Sequence, residues 1–477
     1  SPLDAKVLWV GTDDGNVQLS QDGGKSWTEL SAAVSGVKNG SFVDRIVASG
    51  ASKGTAYVTF DNHRAGDFTP YIFRTTDFGK TWKSVVSGIP TGAPVRSIAE
   101  YPGAVNVLFA GTERFMYFST DSGANWSRLG GNLPTARYDD IIVHPRTKDL
   151  VIATHGRSLW ILDDASPFAE WSASVAAEPA HLFNVRQATI INYWADVSTA
   201  AHAIYAAENP AEGAVFTYHL SKAAQSVKFT VTNSSGRVVR ELTGPATVGA
   251  LNRINWDLRW PPAAGGRGGF AGGGGGGEEE APAPAAGGRI AGRQALPIPA
   301  HNIGPRGFYV SPGKYTVTMD VDGAKSSRTF EVRGDPNMME TVADHKARES
   351  FLLDVQDVQA KIAAATTAFR AKMATAKGAD SLRMHDLALK LGLIAAARPA
   401  SVGPGGLAGG PAGPGGGGRG GRGGGGPAAA LAGLAGQWNG NGARHGGLQP
   451  PSGQHRAILA AAKTALSEME KELARKP

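Results

Sequence analysis

Four arginines, Arg45, Arg96, Arg114 and Arg157, fall at turn-like positions in company with Asp13, Asp14, Asp44, Asp61, His63, Glu113 and His155. A guanidinium grips a carboxylate through two parallel hydrogen bonds, and a carboxyl in a partly dry setting can give or take a proton. These residue types therefore fit either recognition of a polar ligand or acid–base cleavage of a glycosidic bond. In the second case the arginines would hold the substrate and Asp13 or Asp44 would be the acid. A site that cleaves through a tyrosine nucleophile would also need a glutamate to activate it, and no such pair is assigned. Tyr101 beside Glu100, and Tyr138 beside Asp139, are sequence neighbours, and neighbours on a strand point to opposite faces. No catalytic residue is assigned, and Arg45, Arg96, Arg114, Arg157, Asp13 and Asp44 stand only as candidates.

Other chemistries are easier to exclude. The chain has 477 residues and no cysteine, so disulfides, thiol catalysis and cysteine metal ligation are absent. Neither a phosphate-cradling loop nor a G-x-S-x-G elbow occurs. No metal ligands are assigned and no cofactor is expected. Calcium is the one ion that the oxygen-rich Asp13-Asp14-Gly15-Asn16 and Asp163-Asp164 would suit, but neither forms the twelve-residue loop with its final glutamate. The net charge of +7 includes Arg267, Arg289, Arg293, Arg419 and Arg422, sparse cations in glycine-rich runs without interleaved aromatics. Nucleic acid is not an expected partner. No apolar run reaches the length of a membrane-spanning helix.

The elements that must position the candidate residues are set by a repeat. Ser20-Gln-Asp22-Gly-Gly24-Lys-Ser26-Trp27 returns as Thr75-Thr-Asp77-Phe-Gly79-Lys-Thr81-Trp82 and as Ser119-Thr-Asp121-Ser-Gly123-Ala-Asn125-Trp126, at intervals of 55 and 44 residues. Hydroxyl and Asp side chains cap backbone amides in a tight turn, Gly permits positive φ, and a buried Trp ring covers the turn. Around each copy, residues 7–164 break into short strands, four to a unit, which is the pattern of a β-propeller blade. The fold class is mainly β, with about three and a half four-stranded blades over residues 1–165.

The three repeats resemble the Asp boxes of bacterial neuraminidase repeats. The segments VLWVGTDDGNVQLSQDGGKSW and THGRSLWILDD are similar to the sortilin-type propellers of secreted bacterial proteins of glycosyl-hydrolase-like type. The resemblance implies a secreted, periplasmic or cell-surface bacterial protein. It implies that Asp boxes lie between the two outer strands, with any ligand face at the opposite end. There the second-to-third connections carry Asp13, Asp14, Asp61, His63, Glu113, Arg114, His155 and Arg157, and the entries to the first strand carry Asp44, Arg45, Arg96, Asp139 and Asp140. It also implies that the ring needs further blades, on an N-terminal portion or another chain. Ser1-Pro-Leu-Asp-Ala-Lys-Val-Leu reads as the middle of a repeat, so Ser1 is expected to be a processing point or an artificial boundary.

Beyond residue 165 a connector (166–207) leads to a second β pattern (208–335), read as an Ig-like sandwich with a glycine-rich insertion at 261–304. Helical periodicity takes over at 336–399, where Phe351, Val355, Val358, Ile362, Ala365 and Phe369 form a seam for one partner helix. A Gly/Pro-rich tether (400–453) and a last helix (454–477) complete the chain. The helices are expected to pair with each other, to dock on the sandwich, or to join chains through the seam. Three functions are compatible: a glycan- or protein-binding assembly module, a sialidase-like hydrolase completed by further blades, or a subunit of an extracellular polymer or surface layer.

Overall fold

The computed structural model describes residues 1–191, 210–262, 307–393 and 448–475, with Ala430, Leu431, Leu434 and Trp438. The calls on 261–304 and 400–453, with their arginines, lie almost wholly outside the described residues.

The N-terminal region is four successive antiparallel meander sheets in a propeller-like arrangement. The first contains β1 (Leu8–Gly11), β2 (Val17–Ser20) and β3 (Thr28–Glu29). The second contains β4 (Phe42–Ala48), β5 (Ala56–Asn62), β6 (Asp67–Thr75) and β7 (Lys83–Ser84). The third contains β8 (Val95–Glu100), β9 (Leu108–Thr112), β10 (Met116–Ser119) and β11 (Ser127–Arg128). The fourth contains β12 (Tyr138–Val143), β13 (Leu150–Thr154) and β14 (Leu159–Leu162). Period-two alternation gives each sheet two apolar faces, one for each neighbour. Val58, Phe60 and Phe73 of the second sheet share a core with Val17 and Leu19 of the first. Tyr57 and Ile72, on its other face, pack against Val95, Ile98 and Leu108 of the third. Inner strands approach closely enough that a Cβ added at Gly111 would lie 2.7 Å from the Tyr138 carbonyl oxygen.

The three repeats fold into one turn geometry, always between the third and fourth strand positions. The Ser20 hydroxyl donates to Asp22 Oδ1 (2.8 Å) and accepts from the Gly24 amide (2.8 Å), while the Asp22 carboxylate accepts from the Ser26 amide and hydroxyl. Thr75, Asp77, Gly79 and Thr81 repeat these bonds, as do Ser119, Asp121, Gly123 and Asn125. The donors hold the Asp22 and Asp77 carboxyls down at about 2. The tryptophans differ. Trp126 donates its indole N–H to the Val85 carbonyl of the preceding sheet (2.8 Å), and Trp82 meets Trp9 of the preceding sheet edge-on at 6.0 Å. Trp27 bonds the Gly24 carbonyl of its own turn and is exposed, contrary to the expected buried ring.

After β14, α1 (Pro167–Glu170) and α2 (Ala173–Ala177) turn the chain back, and Phe168 fills the third and fourth sheets' core against Phe109 and Phe118. Two sheets then enclose the next core. One orders β15 (Ala180–Leu182), β17 (Ala214–Leu220) and β20 (Leu251–Trp256). The other orders β16 (Ala188–Ile190), β22 (Ala324–Gly334), β21 (Gly313–Val321), β18 (Val227–Asn233) and β19 (Val238–Thr243). The stretch read as a connector therefore supplies a strand to each sheet, β16 by parallel pairing with β22.

Helix α3 (Val342–Thr375) starts on a capping box between Thr341 and Asp344 and is followed by α4 (Gly378–Lys390) and α5 (Gly453–Ala474). Phe351, Val355, Val358, Ile362, Ala365 and Phe369 are buried in a core that also contains Leu459, Ala462, Leu466 and Met469 of α5 and runs on into the sandwich. The seam is thus filled within the chain, which corrects the expectation of a homo-oligomer formed through it.

Candidate functional site

The loops before β6 and after it sit at opposite ends of that strand, so the end carrying His63 is opposite the end carrying Asp77. At the His63 end, the register of the innermost strands is broken at one equivalent position in three sheets: between Val43 and Arg45, between Val95 and Ser97, and between Tyr138 and Asp140. The residues in these bulges are Asp44, Arg96 and Asp139. A bulge adds a residue that has no ladder partner and re-aims its side chain. The recurring segments Val43-Asp44-Arg45-Ile46, Val95-Arg96-Ser97-Ile98 and Tyr138-Asp139-Asp140-Ile141 are a sequence trace of it.

Arg96 is the centre of the first cluster. Its Nη1 donates to Asp61 Oδ2 (2.7 Å) and Asp44 Oδ2 (3.2 Å), and its Nε donates to Glu113 Oε1 (2.5 Å). The His63 ring Nδ1 contacts the Asp61 carboxylate and lies 3.1 Å from Arg96 Nη2, while the His63 amide donates to Asp61 Oδ1. The Asp61 side chain is buried, Arg96 is mostly buried, and Asp44 is partly exposed. Three carboxylates around one guanidinium leave the cluster with excess negative charge. Burial pushes the Asp44 carboxyl up to about 6; the Arg96 charge opposes the shift, and Asp61 and Glu113 add to it.

The fourth sheet holds a second cluster. Arg137 Nε and Nη2 donate to the two oxygens of Asp139 (2.5 and 3.3 Å), and Arg137 Nη2 lies 2.8 Å from His155 Nδ1. Burial raises the Asp139 carboxyl, but hydrogen bonding and charge from Arg137 and His155 outweigh it and leave it below the usual range. Arg137 was missed by sequence reasoning, although it immediately precedes the third bulge. Between the clusters, Arg45 of β4 reaches Asp140 of β12 at 2.5 Å.

The remaining candidates stand apart. Arg114 and Arg157 are exposed and form no ion pair among the described residues. Asp14 accepts from the Thr12 hydroxyl and from Asn16 Nδ2 (2.8 Å) within its own turn, and Asp13 is exposed beside it. The four arginines therefore do not converge: Arg96 and Arg45 are held by carboxylates, and Arg114 and Arg157 stand on exposed loops. The Tyr138 hydroxyl bonds the Pro134 carbonyl, and Glu100 accepts from Ser49 Oγ (2.6 Å) and the Gly50 amide (2.7 Å). Among the described residues, no group of three or more His, Asp or Glu side chains is arranged to hold a metal ion, and no helix is long and apolar enough to cross a membrane.

No family model matches the chain. No curated protein matches it either. Among solved structures, it is similar to YCF48 bound to a D1 peptide (16% identity, 34% of this chain and 49% of that one, TM-score 0.27). It is also similar to a GH74 xyloglucanase from Xanthomonas campestris (15%, 45% and 31%, TM-score 0.28). A third is an auxiliary nutrient binding protein from Bacteroides thetaiotaomicron (13%, 51% and 55%, TM-score 0.26). The chain spans from 31% to 55% of the length of these three. At such identities and scores no activity passes from them to this chain.

Proposed function

We propose that this end of the propeller-like region is a binding face for a glycan or a protein segment, and that the chain is an extracellular or periplasmic binding and assembly module. The observation that carries the reading is the convergence of Asp44, Asp61 and His63 with Arg96 and Glu113 from the adjacent sheet. Carboxylate oxygens in excess of local donors favour ligands rich in hydroxyl or ammonium groups. The exposed Arg114 and Arg157 make up the rim. The finer parts of the proposal are the Asp-box nature of the three turns, the Ig-like character of the sandwich, and completion of the ring by further blades. Calorimetric titration of the full chain with neutral, acidic and basic oligosaccharides and peptides tests it. A ligand whose affinity falls at least tenfold in both His63→Ala and Glu113→Gln supports the reading; absence of binding across the panel overturns it.

A second reading is a glycoside hydrolase with Asp44 as its acid. It is favoured by Asp44, whose carboxyl is pushed up to about 6 by burial, lying within reach of the same guanidinium that holds the buried Asp61. Turnover of fluorogenic glycosides, sialosides included, that disappears in Asp44→Asn would support it. Turnover abolished by Arg114→Ala with Arg157→Ala would also exclude a binding-only role, and no turnover of any glycoside removes the reading.

A further inference from the structure

A cavity of about 180 Å³ lies away from the candidate site, where the fourth sheet meets the sandwich. It is lined by Asp163 and Asp164 after β14, by Arg186 before β16, and by Val215, Arg253 and Ile254 of β17 and β20. Register explains how the two aspartates come to be there. Leu162 pairs with Leu150 as Ser119 pairs with Leu108, so Asp163 and Asp164 stand where the third sheet has Thr120 and Asp121. Asp121 is used within its own turn, accepting from Ser119 and Asn125. In the fourth sheet the chain passes instead into α1. Asp164 takes a left-handed backbone (φ 57°), its amide donates to Asp149 Oδ1 (2.9 Å), and its carbonyl accepts from Arg253 Nη2 (3.1 Å).

The charged groups of this cavity are not matched to one another. Among the described residues the Asp163 carboxylate accepts no hydrogen bond and forms no ion pair. Arg253 uses only Nη2, on the Asp164 carbonyl, and Arg186 uses only Nη1, on the Thr147 carbonyl (2.7 Å) and Asp149 Oδ1 (2.9 Å). Burial raises the Asp163 carboxyl, with Asp149 adding to the shift and Arg253 and Arg186 opposing it; burial likewise lowers Arg253. A partly dry carboxylate and a partly dry guanidinium therefore share one cavity without pairing, an arrangement that a ligand carrying both complementary charges would relieve. A guanidinium edge takes a carboxylate through parallel hydrogen bonds, and an ionised carboxylate, which only accepts, takes an ammonium. A plain anion would leave Asp163 facing like charge, and a plain cation would do the same to Arg253. The volume is below the about 300–1,000 Å³ of sites for drug-sized ligands, so the occupant is small. We infer that this cavity binds a free α-amino acid with a small apolar side chain. Arg253, with Arg186 beside it, holds the α-carboxylate, Asp163 holds the α-ammonium, and Val215 and Ile254 face the side chain.

Isothermal titration calorimetry of the full chain with glycine, L-alanine and L-valine tests this inference, which does not depend on the binding or hydrolytic reading of the His63 end. Isovalerate keeps the carboxylate of valine without its ammonium, and isobutylamine keeps the ammonium without the carboxylate. L-Valine is expected to bind at least tenfold more tightly than either. Asp163→Asn should weaken L-valine at least tenfold and leave isovalerate unchanged, whereas Arg253→Gln should weaken both. Asp163 has no partner to lose, so its variant should keep the wild-type circular dichroism and decides the matter even if Arg253→Gln misfolds. His63→Ala should leave L-valine binding as it is. The inference is overturned if none of the three amino acids binds, if isovalerate binds as tightly as L-valine, or if Asp163→Asn binds L-valine like the wild type.

Discussion

Asp44 and Asp61 share a single donor: Arg96 Nη1 lies 3.2 Å from one carboxylate and 2.7 Å from the other. Two acidic groups at that spacing repel, and the shared guanidinium is what allows them to coexist beside Glu113. The bulge that releases Arg96 from the β8 ladder lets one side chain reach acceptors on β4, on β5 and on the loop after β9.

Removing that guanidinium strands three carboxylates. Arg96→Ala is expected to destabilise the fold by about 3 kcal/mol, the scale for breaking a largely buried ion pair from one side. Arg96→Lys should recover only part of the loss, since an ammonium cannot reproduce the planar fork. Urea denaturation with an unchanged m-value would report it. A neutral Arg96→Ala would mean that the carboxylates find other donors or take up protons.

Asp44 predicts an unusual pH dependence. Its folded pKa of about 6 is raised above the unfolded value, so between about pH 4 and pH 6 the native state binds the extra proton. Stability contributed by this group is greatest at the acid end of that window and declines as pH rises through it. At about 1.4 kcal/mol per pH unit the change is at most about 3 kcal/mol. Asn at position 44 cannot titrate, so the stability difference between wild type and Asp44→Asn should drift across the window and be flat above pH 7. A difference that is constant with pH would show that Asp44 titrates normally.

The meander strands and their turns were legible because hydroxyl, Asp and Gly at fixed spacing have local uses. The bulge was not read, although Val-Asp-Arg-Ile, Val-Arg-Ser-Ile and Tyr-Asp-Asp-Ile carry it, because a one-residue slip in pairing is invisible without the partner strand. Grouping Asp61, His63, Glu113 and Arg96 at one end required only the order of loops. That Arg96 is held by three carboxylates required distances. Arg137 escaped because its role depends on Asp139 and His155 across a strand pair. The connector's short runs at 182–185 and 188–193 read as possible strands, but a three-residue strand carries no sign of which sheet it joins, so β15 and β16 stayed in the connector. The fate of the helical seam was undecidable locally: 4-3 spacing has the same form whether α5 or another chain fills it.

Trp126 joins the second and third sheets by both packing and a hydrogen bond to the Val85 carbonyl. Trp126→Ala should cost about 4 kcal/mol, in the range for deleting a buried aromatic ring. Trp126→Phe keeps most of the ring and leaves one carbonyl without its donor, so about 1–2 kcal/mol is expected. Equal losses for the two variants would mean that the hydrogen bond, not the ring, holds the sheets together.

Arg348 ties the helices to the sandwich. It is buried on α3, and its guanidinium donates to the Leu448 carbonyl (3.1 Å) and to the Tyr309 and Val310 carbonyls (3.3 Å each). Burial pulls its pKa down to about 10, so it remains a cation at neutral pH. Arg348→Ala leaves three carbonyls without this donor and opens a cavity between α3 and the chain entering α5, which should destabilise the protein by about 3 kcal/mol or more. Because the contacts are confined to that junction, amide exchange should accelerate first in α3 and α5, while β5 and β9 retain their protection. Uniform acceleration across all these elements would show instead that the chain unfolds as one cooperative unit.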